Sequence, residues 1–328
     1  MHNVELLITN GDSAAHLLQQ AGIGSKILPW RDVLHEGPIP QDQDDLQLAE
    51  TRARFIVSQR WGEYGPTLKQ FRERDELLAR GSAYNRISLW FEHDLYDQLQ
   101  LLQVLDRCKA LPLDKLFLVQ ATDFLGTQTP ESIAEFRKLE RPVTGEQIAL
   151  AQSAWQALRA PSPEALANLA GNDLAELPFL KNSLTRLLKE LPSTSNGLNL
   201  TQQHILQIVG QNPEITAREL FGKYNEAETP AFMGDWSFWR WLDGMTMPSH
   251  ALIDGLPPGG YPFRKSREQA SIYLQSKLSL SALGESILNG AEDLIDTLGI
   301  DRWVGGVHLT TTDCWRWDPE NHRPQAPK

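Results

Sequence analysis

Three short segments of the chain combine residue types that hold ligands or move protons. Asn10–Ser13 brings an amide, a carboxylate and a hydroxyl together just before a run typical of a helix. The free N–H groups at a helix start can hold a phosphate or carboxylate, so we predict that Asp12 is catalytic and that Asn10, Gly11 and Ser13 bind ligand. A plain helix cap, in which Asp12 or Ser13 accepts an N–H bond, is the alternative.

The second segment, Trp30–Pro38, places an arginine, two carboxylates and a histidine close to the end of a strand-like run. Arg31 could clamp an anion with two hydrogen bonds. His35 with Glu36 or Asp32 could form a general acid–base pair, and we predict all three as catalytic. A surface loop whose charges pair with one another is the alternative. The predicted ligand-binding residues of this segment are Trp30, Arg31 and Gly37.

The third segment, Phe91–Gln98, runs from an apolar strand into a helix. Two carboxylates flanking a histidine can hold a divalent cation, which makes Glu92 and Asp94 predicted metal ligands and His93 a predicted catalytic residue. The acidic residues could equally complement the dipole of the helix that follows. The predicted ligand-binding residues on the first helical turn are Asp97 and Gln98.

Four strand-like runs would position these segments: Val4–Thr9, Lys26–Pro29, Ile87–Phe91 and Leu116–Gln120. They alternate with helical patterns, which predicts an α/β domain over residues 1–128 with a parallel, doubly wound sheet of flavodoxin-like or Rossmann-like type. Ligands of open parallel sheets bind outside the carboxyl ends of the strands. We therefore expect the three segments to meet in one polar crevice at that edge.

The rest of the chain predicts a helical extension over 129–192, a linker at Pro192–Gly197 and a C-terminal domain over 198–328. Three short helices are followed by Trp303–Leu309 and Cys314–Trp317, which could pair as a hairpin. Helices followed by a hairpin indicate a winged-helix-like α+β module. We expect the hairpin to pack near the crevice, where His308 or Arg316 could complete the site. Ordinary packing between domains is the alternative.

The composition limits the classes of partner and compartment. The net charge is −11, from 31 Lys+Arg against 42 Asp+Glu, and this disfavours nucleic-acid binding. No run approaches the roughly 18 apolar residues that cross a bilayer. The N-terminus has no basic lead-in of a signal peptide, so we expect a cytoplasmic protein. Two distant cysteines, Cys108 and Cys314, are typical of a reducing compartment.

The stretches ITNGDSAA, ILPWRDVLHEGPIP and LWFEHDLYDQLQLLQVL closely resemble the bacterial domain-of-unknown-function family 1835. The resemblance covers roughly residues 4–125. It implies that the same three polar segments form the signature of the family, and it implies no particular reaction. The C-terminal part shows no equally clear resemblance.

These residues predict binding of a small anionic ligand, phosphorylated or nucleotide-like, at the crevice, with a divalent metal as a possible cofactor. Metal-assisted or acid–base chemistry would make the protein an enzyme. A ligand sensor that signals to a protein partner through residues 198–328 is the main alternative, and a DNA-binding regulator is the least favoured. The sequence has no Walker A, GxGxxG or GxSxG motif in the required context, so NTPase, dinucleotide-dehydrogenase and α/β-hydrolase functions lack their motifs.

Overall fold

A five-stranded sheet organises the N-terminal part of the protein. The computed structural model describes residues 4–247, 249–263 and 266–327. The strands of the sheet are β1 (Glu5–Thr9), β2 (Lys26–Pro29), β3 (Arg86–Phe91), β4 (Leu116–Gln120) and β5 (Arg141–Pro142). Their order is β2-β1-β3-β4-β5. The first four are parallel, and β5 runs antiparallel to β4.

The prediction of an α/β fold with a mainly parallel sheet is confirmed. The antiparallel β5 escaped prediction because a strand of two residues carries no readable alternation. The order of the strands changes direction between β1 and β3, since β2 lies outside β1 and β4 lies outside β3. Ligand crevices of open α/β sheets form at such a reversal.

Helices cover both faces of this sheet because its strands are apolar on both sides. On β1, Leu6 and Ile8 face one apolar cluster, whereas Leu7 faces the other. The first helices are α1 (Asp12–Gln20), α2 (Asp45–Ser58), α3 (Tyr64–Ala79) and α4 (Leu95–Cys108). Helix α4 is buried along most of its length, which is unusual for a helix with several glutamines. Those polar groups prove to be bonded to loops around the site.

Helices continue through the middle of the chain, as the sequence predicts. They are α5 (Pro130–Glu135), α6 (Gly145–Arg159), α7 (Glu164–Ala170) and α8 (Leu180–Leu188). Capping boxes begin α5 and α6, where Thr129 and Thr144 accept the N–H groups of residues three positions on. Helices α6 and α8 pack against α4 and so extend the core beyond the sheet.

The C-terminal part combines short helices with three small antiparallel sheets. Its helices are α9 (Leu200–Gln211), α10 (Ala217–Ala227), α11 (Asp235–Met245), α12 (Arg267–Gln275), α13 (Ala282–Leu288) and α14 (Leu294–Leu298). Its strands are β6 (Ile215–Thr216), β7 (Ile253–Asp254), β8 (Lys277–Leu280), β9 (Asp301–Val304), β10 (Val307–Thr310), β11 (Arg316–Asp318) and β12 (Arg323–Gln325). They pair as β6-β8-β7, β9-β10 and β11-β12.

The predicted pairing of Trp303–Leu309 with Cys314–Trp317 is wrong. The first of these segments is itself a hairpin, because Gly305 and Gly306 make a two-residue turn that folds β10 back on β9. Gly305 has φ +59°, which glycine adopts without strain. The second segment pairs with β12 instead.

The segment predicted as a linker, Pro192–Gly197, packs against the last hairpin. Thr194 donates its N–H to the carbonyl of Trp317 at 2.8 Å, and the N–H of Trp317 donates to the carbonyl of Pro192 at 2.8 Å. One cluster of buried apolar side chains also runs from Leu6 to Trp317. The domain boundaries stay predictions, but the parts of the chain share a continuous core.

Two further sequence features can be placed. Cys108 and Cys314 are both buried and form no disulfide, and burial raises the pKa of the Cys108 thiol to about 12. Across the described parts of the chain, every helix is too short or too polar to cross a bilayer.

Candidate functional site

A cavity of about 800 Å³ opens at the carboxyl ends of β1 and β3, where the strand order changes direction. This volume lies in the range of pockets that bind small metabolites. Each of the three polar segments contributes to its lining. The contributing residues are Asn10, Asp12, Arg31, Asp32, Val33, His35, Glu92, Asp94, Tyr96 and Asp97.

Three buried carboxylates lie together in this cavity, and we call Glu92, Asp94 and Asp97 the acid cluster. Glu92 directly follows β3, Asp94 is the N-cap of α4, and Asp97 lies on the first turn of that helix. Each offers an oxygen within 4.8 Å of the oxygens of the other two. The sequence predicted Glu92 and Asp94 as metal ligands, and the structure adds Asp97 to them, since one helical turn brings it back to the same side.

The acid cluster is held by neutral donors. The carboxylate of Asp97 accepts the N–H of Glu92 at 2.6 Å and the side-chain amide of Asn10 at 2.8 Å. Asp94 accepts the N–H of Asp97 at 3.1 Å, and Glu92 accepts the N–H of Leu125 at 2.7 Å. Among the described residues, no lysine or arginine makes an ion pair with the three.

Burial and mutual repulsion therefore act on these carboxylates without a lysine or arginine partner among the described residues, although His93 and His35 lower the pKa of Asp94. Burial, and then the charge of Asp94, raises the pKa of Glu92 to about 7. Burial also raises the pKa of Asp94, and burial with the charges of Asp94 and Glu92 raises the pKa of Asp97 well above its ordinary value. Such a group of acids is stabilised by protons or by a bound cation. Oxygens around a divalent cation lie roughly 3–5 Å apart, because each is about 2.0–2.6 Å from the ion.

Asp32 lies in the same cavity but is fully neutralised. It accepts the Nε and Nη2 groups of Arg52 at 3.0 and 2.8 Å, and Arg74 lies 3.6 Å away. Arg52 also donates to the carbonyls of Val33 and Glu36 at 2.8 and 2.7 Å. These bonds fix the loop that carries His35, so Asp32 and Arg52 hold the site in shape.

His35 is a buried histidine in the lining of the cavity. Its side chain is only 3% exposed, and neither ring nitrogen has a hydrogen-bond partner among the described residues. The ring packs edge-on against Phe232 and Tyr96, with centroids 5.1 and 6.0 Å apart. The Oε1 atom of Glu36 lies 3.5 Å from Nε2. An imidazole with free nitrogens can accept or donate a proton at a bound ligand.

Asp12 and Arg31 form an ion pair at the edge of the cavity. Nε of Arg31 donates to both carboxylate oxygens of Asp12 at 3.0 Å. The side chain of Arg31 is 44% exposed and that of Asp12 is 72% exposed, so solvent and salt weaken the pair. Gly11 has an extended backbone, with open space where a Cβ would lie, and Ser13 is exposed beside it. This edge leaves room for a polar ligand.

Other predicted site residues lie outside the cavity lining. Trp30 is fully buried and donates Nε1–H to Gln103 at 2.9 Å. Gln98 is buried and donates to the carbonyl of Glu92 at 2.6 Å. The ring of His93 packs on Phe124 at 5.2 Å. Gly37, with φ +75°, closes the loop beneath His35. These four residues support the site through packing and hydrogen bonds.

The largest contribution that sequence reasoning missed comes from the C-terminal part. Residues 231–234, which precede α11, and the first turn of α11, residues 235–237, line the cavity and include Phe232, Met233 and Trp236. Helix α3 adds Thr67, Gln70 and Phe71. An apolar loop between two helices carries no motif, so no sequence signal marked it. The closing element is therefore this loop.

The hairpin of β9 and β10 packs beside the loop that carries His35, where Gly305 accepts the N–H of Ile39 at 3.0 Å, but it does not line this cavity. Arg316 donates to Asp293 at 3.0 Å, and His308 bonds to Asp301 at 2.7 Å while stacking on Trp303. Neither His308 nor Arg316 lines the cavity. Both are used by contacts within the C-terminal part, which agrees with the packing alternative.

No protein-family model and no curated protein matches the chain. Function is therefore inferred from the geometry of the cavity.

Proposed function

We propose that this protein binds a divalent cation at the acid cluster and, through it, a small phosphorylated or nucleotide-like ligand. The observation that carries the proposal is the convergence of three buried carboxylate oxygens within 4.8 Å of one another in a cavity of metabolite size. All three ligands are oxygens, the donor type preferred by Mg²⁺, Mn²⁺ and Ca²⁺. The resemblance to family 1835 is part of the same proposal and suggests a site shared by that family.

A cation at the cluster would explain why an acidic cavity takes an anion. Six carboxylates and one arginine line the cavity, so a phosphate alone would meet net repulsion. A bound divalent ion reverses the local charge and bridges to phosphate oxygens, as Mg²⁺ does in many phosphate sites. Arg31, which is only partly occupied by exposed Asp12, would contact the same anion.

In this proposal the protein is an enzyme in which His35 moves a proton at the bound ligand. The cation would polarise a phosphoryl or carbonyl oxygen and stabilise the charge that develops there. His35 has free ring nitrogens and is held by the loop that Arg52 fixes. Phe232 and residues 231–237 would exclude water from that point. Asp32, paired with two arginines, would keep this arrangement rigid.

The test is calorimetric titration of the full chain with MgCl2 and MnCl2, followed by a thermal-shift screen of nucleotides and sugar phosphates with each metal. A metal at 100 times its Kd stabilises the fold by about 2.7 kcal/mol. Asp94→Asn should weaken metal binding at least tenfold, because it removes one ligand charge. The fold should survive, since asparagine also caps helices.

Glu76→Gln is the matched control, because it removes an exposed carboxylate from α3. It should bind metal like the wild type. The proposal fails if the wild type shows no metal-dependent heat or shift, or if Asp94→Asn binds as tightly as the wild type.

A second candidate is a ligand sensor that signals through the C-terminal part, and the observation that favours it is the contact of residues 231–237 with the cavity. This loop leads directly into α11, so a ligand that moved it would move that helix. The order α9, β6, α10, α11, β7, α12, β8 with pairing β6-β8-β7 is consistent with a winged-helix-like module, which is part of this second proposal. Once a ligand is known, His35→Asn separates the candidates: lost turnover with retained binding supports the enzyme.

A DNA-binding role is the least supported. Helix α11, the helix that would enter a groove, buries Phe238 and Trp239 and lines the cavity through Trp236. Arg240 donates to Gln59 of the N-terminal part at 3.2 Å. With its faces packed inside the protein, this helix offers little surface to base edges.

A further inference from the structure

A second cavity, of about 400 Å³, lies on the other side of His35. Its walls come from the loop after β2, from α2, from α11 and from β9, so it lies between the N-terminal and C-terminal parts. His35 is shared with the first cavity, whereas Glu36, Arg240 and Trp241 line only this one. Its volume is enough for a small metabolite.

Several polar atoms in its walls are buried and have no hydrogen-bond partner among the described residues. They are Oε1 of Glu36, Nε1 of Trp241 and both ring nitrogens of His35. An unpaired buried polar group destabilises a fold, so proteins seldom keep several in one place without a use. An acceptor, a donor and an imidazole together suit a ligand that offers both donors and acceptors.

Some charged side chains in the walls are bound by other protein groups, and others can still bind a ligand. Arg302 donates to the carbonyl of Glu190 at 2.6 Å, and Asp301 is bonded to His308 at 2.7 Å. Arg240 makes one side-chain hydrogen bond, to Gln59 at 3.2 Å, and lies 3.8 Å from Asp243. Oε1 of Glu36 lies 3.5 Å from Nε2 of His35, too far for a hydrogen bond. The carboxylate of Glu36 and the guanidinium of Arg240 therefore have capacity for a ligand.

Aromatic side chains complete the walls. Phe55, Trp241 and Trp303 line the cavity, and the guanidinium of Arg302 lies 4.8 Å above the ring of Trp241. Such rings favour apolar groups and, through their faces, ammonium groups. The walls thus offer the carboxylate of Glu36, the guanidinium of Arg240, an indole N–H and an apolar surface.

We propose that the second cavity binds a free α-amino acid with an apolar side chain. The ammonium would lie on Glu36, the carboxylate on Arg240 and the N–H of Trp241, and the side chain against Phe55 and Trp303. The proposal does not depend on the metal site, because Glu36, Arg240 and Trp241 lie outside the first cavity. Since His35 lines both cavities, an amino acid bound here would contact the residue to which we assign proton transfer.

The experiment is a thermal-shift and calorimetric screen of the full chain, without added metal, against L-leucine and L-phenylalanine at up to about 10 mM. Isoamylamine and phenethylamine are the matched amines that lack the carboxylate. Isocaproate and hydrocinnamate are the matched acids that lack the ammonium. We expect at least one amino acid to give a saturable shift and its single-charge analogues to give none, because each analogue leaves one wall charge unpaired.

Three variants assign the shift to this cavity. Glu36→Gln and Arg240→Gln should each weaken binding at least tenfold, and Trp241→Phe should weaken it about 3–10-fold by removing one N–H while keeping a ring. Glu73→Gln and Arg54→Gln, which change exposed residues of α3 and α2, should bind like the wild type.

The proposal is overturned if neither amino acid shifts the wild type. It is also overturned if the amines alone shift it equally, or if binding persists unchanged in Glu36→Gln and Arg240→Gln. Failure here would leave the metal titration of the first cavity unaffected, so the two proposals can be separated.

Discussion

Two clusters of buried charge in this protein are built in opposite ways. The acid cluster at the first cavity gathers three carboxylates without an ion-pair partner among the described residues. A second group, the arginine cluster of Arg186, Glu190 and Glu228, lies where α8, α9 and α10 meet. There Arg186 donates to Glu228 at 2.6 and 2.9 Å and to Glu190 at 2.7 Å.

The pKa values follow the pairing. Burial raises the pKa of Glu228, but hydrogen bonds from Arg186 and Tyr224 together with the charge of Arg186 outweigh it, and the pKa falls to about 2. In the acid cluster burial acts without such a partner, and the pKa of Glu92 rises to about 7. A buried charge that is paired and hydrogen-bonded serves the fold, whereas uncompensated charge in a cavity marks a functional candidate.

The largest effect should come from breaking the paired cluster. Arg186→Ala leaves buried Glu228 without its arginine and Glu190 with Arg302 alone, and should lower the free energy of unfolding by about 3–5 kcal/mol. Urea denaturation measures the difference. Arg54→Ala, which removes a 69% exposed arginine, should change stability by less than about 0.5 kcal/mol. Similar stabilities for the two variants would show that the arginine cluster is not what holds these helices.

The two predicted site glycines sharpen the comparison between packed and open parts of the site. Gly37 has φ +75°, and a Cβ there would lie 2.5 Å from the ring of Phe55, so Gly37→Ala should cost about 2–3 kcal/mol. Gly11→Ala adds a Cβ into open space on an extended backbone and should change stability by less than about 0.5 kcal/mol. Thermal unfolding of the two variants checks both values, and a reversed order would contradict this description of the loop.

The smallest effect, opposite in sign, should come from the acid cluster. The pKa of Glu92 is raised in the fold, so its contribution to stability is present below about pH 4.5 and is lost as pH rises through 7. Glu92→Gln keeps an acceptor for Leu125 and should stabilise the metal-free protein by about 1–2 kcal/mol at pH 8. At pH 4.5 the gain should vanish. Unfolding curves at both pH values measure it.

A loss of stability at pH 8 in Glu92→Gln would break the comparison, because the acid cluster would then belong with the structural groups. Metal titration of the same variant gives the complementary result. Weaker metal binding together with higher stability would show that the charge of Glu92 serves metal binding and destabilises the fold.

Much of the fold could be read from local sequence. The four parallel strands are short apolar runs that end in polar residues, and their helices show regular apolar spacing. The polar segments after β1, β2 and β3 had to share one edge, because parallel strands place their carboxyl ends together. The lining of the first cavity includes Asn10, Asp32, His35, Glu92 and Asp97 from these segments.

Other features could not be read in this way because they depend on contacts between distant residues. Asp32 resembled a catalytic acid, yet it is neutralised by Arg52 and Arg74 from helices that appeared merely polar. Strand β9 pairs with β10 through a two-residue glycine turn. From the sequence, a longer loop that joined Trp303–Leu309 to Cys314–Trp317 was also plausible. The spacing of apolar residues indicates which face of a helix or strand is buried. It does not indicate which side chain of another element contacts that face.

The sequence by itself indicated four strands of a mainly parallel sheet, the edge where polar groups collect and the residue types available there. The tertiary structure decided which of those groups are compensated. Arg186 neutralises Glu228 across 42 positions of the chain, whereas the acid cluster receives only neutral donors such as Asn10 and Leu125. The physical reason is that the free energy of a buried charge is fixed by its neighbours in space, and those neighbours are set by packing between elements rather than by the pattern within any one of them.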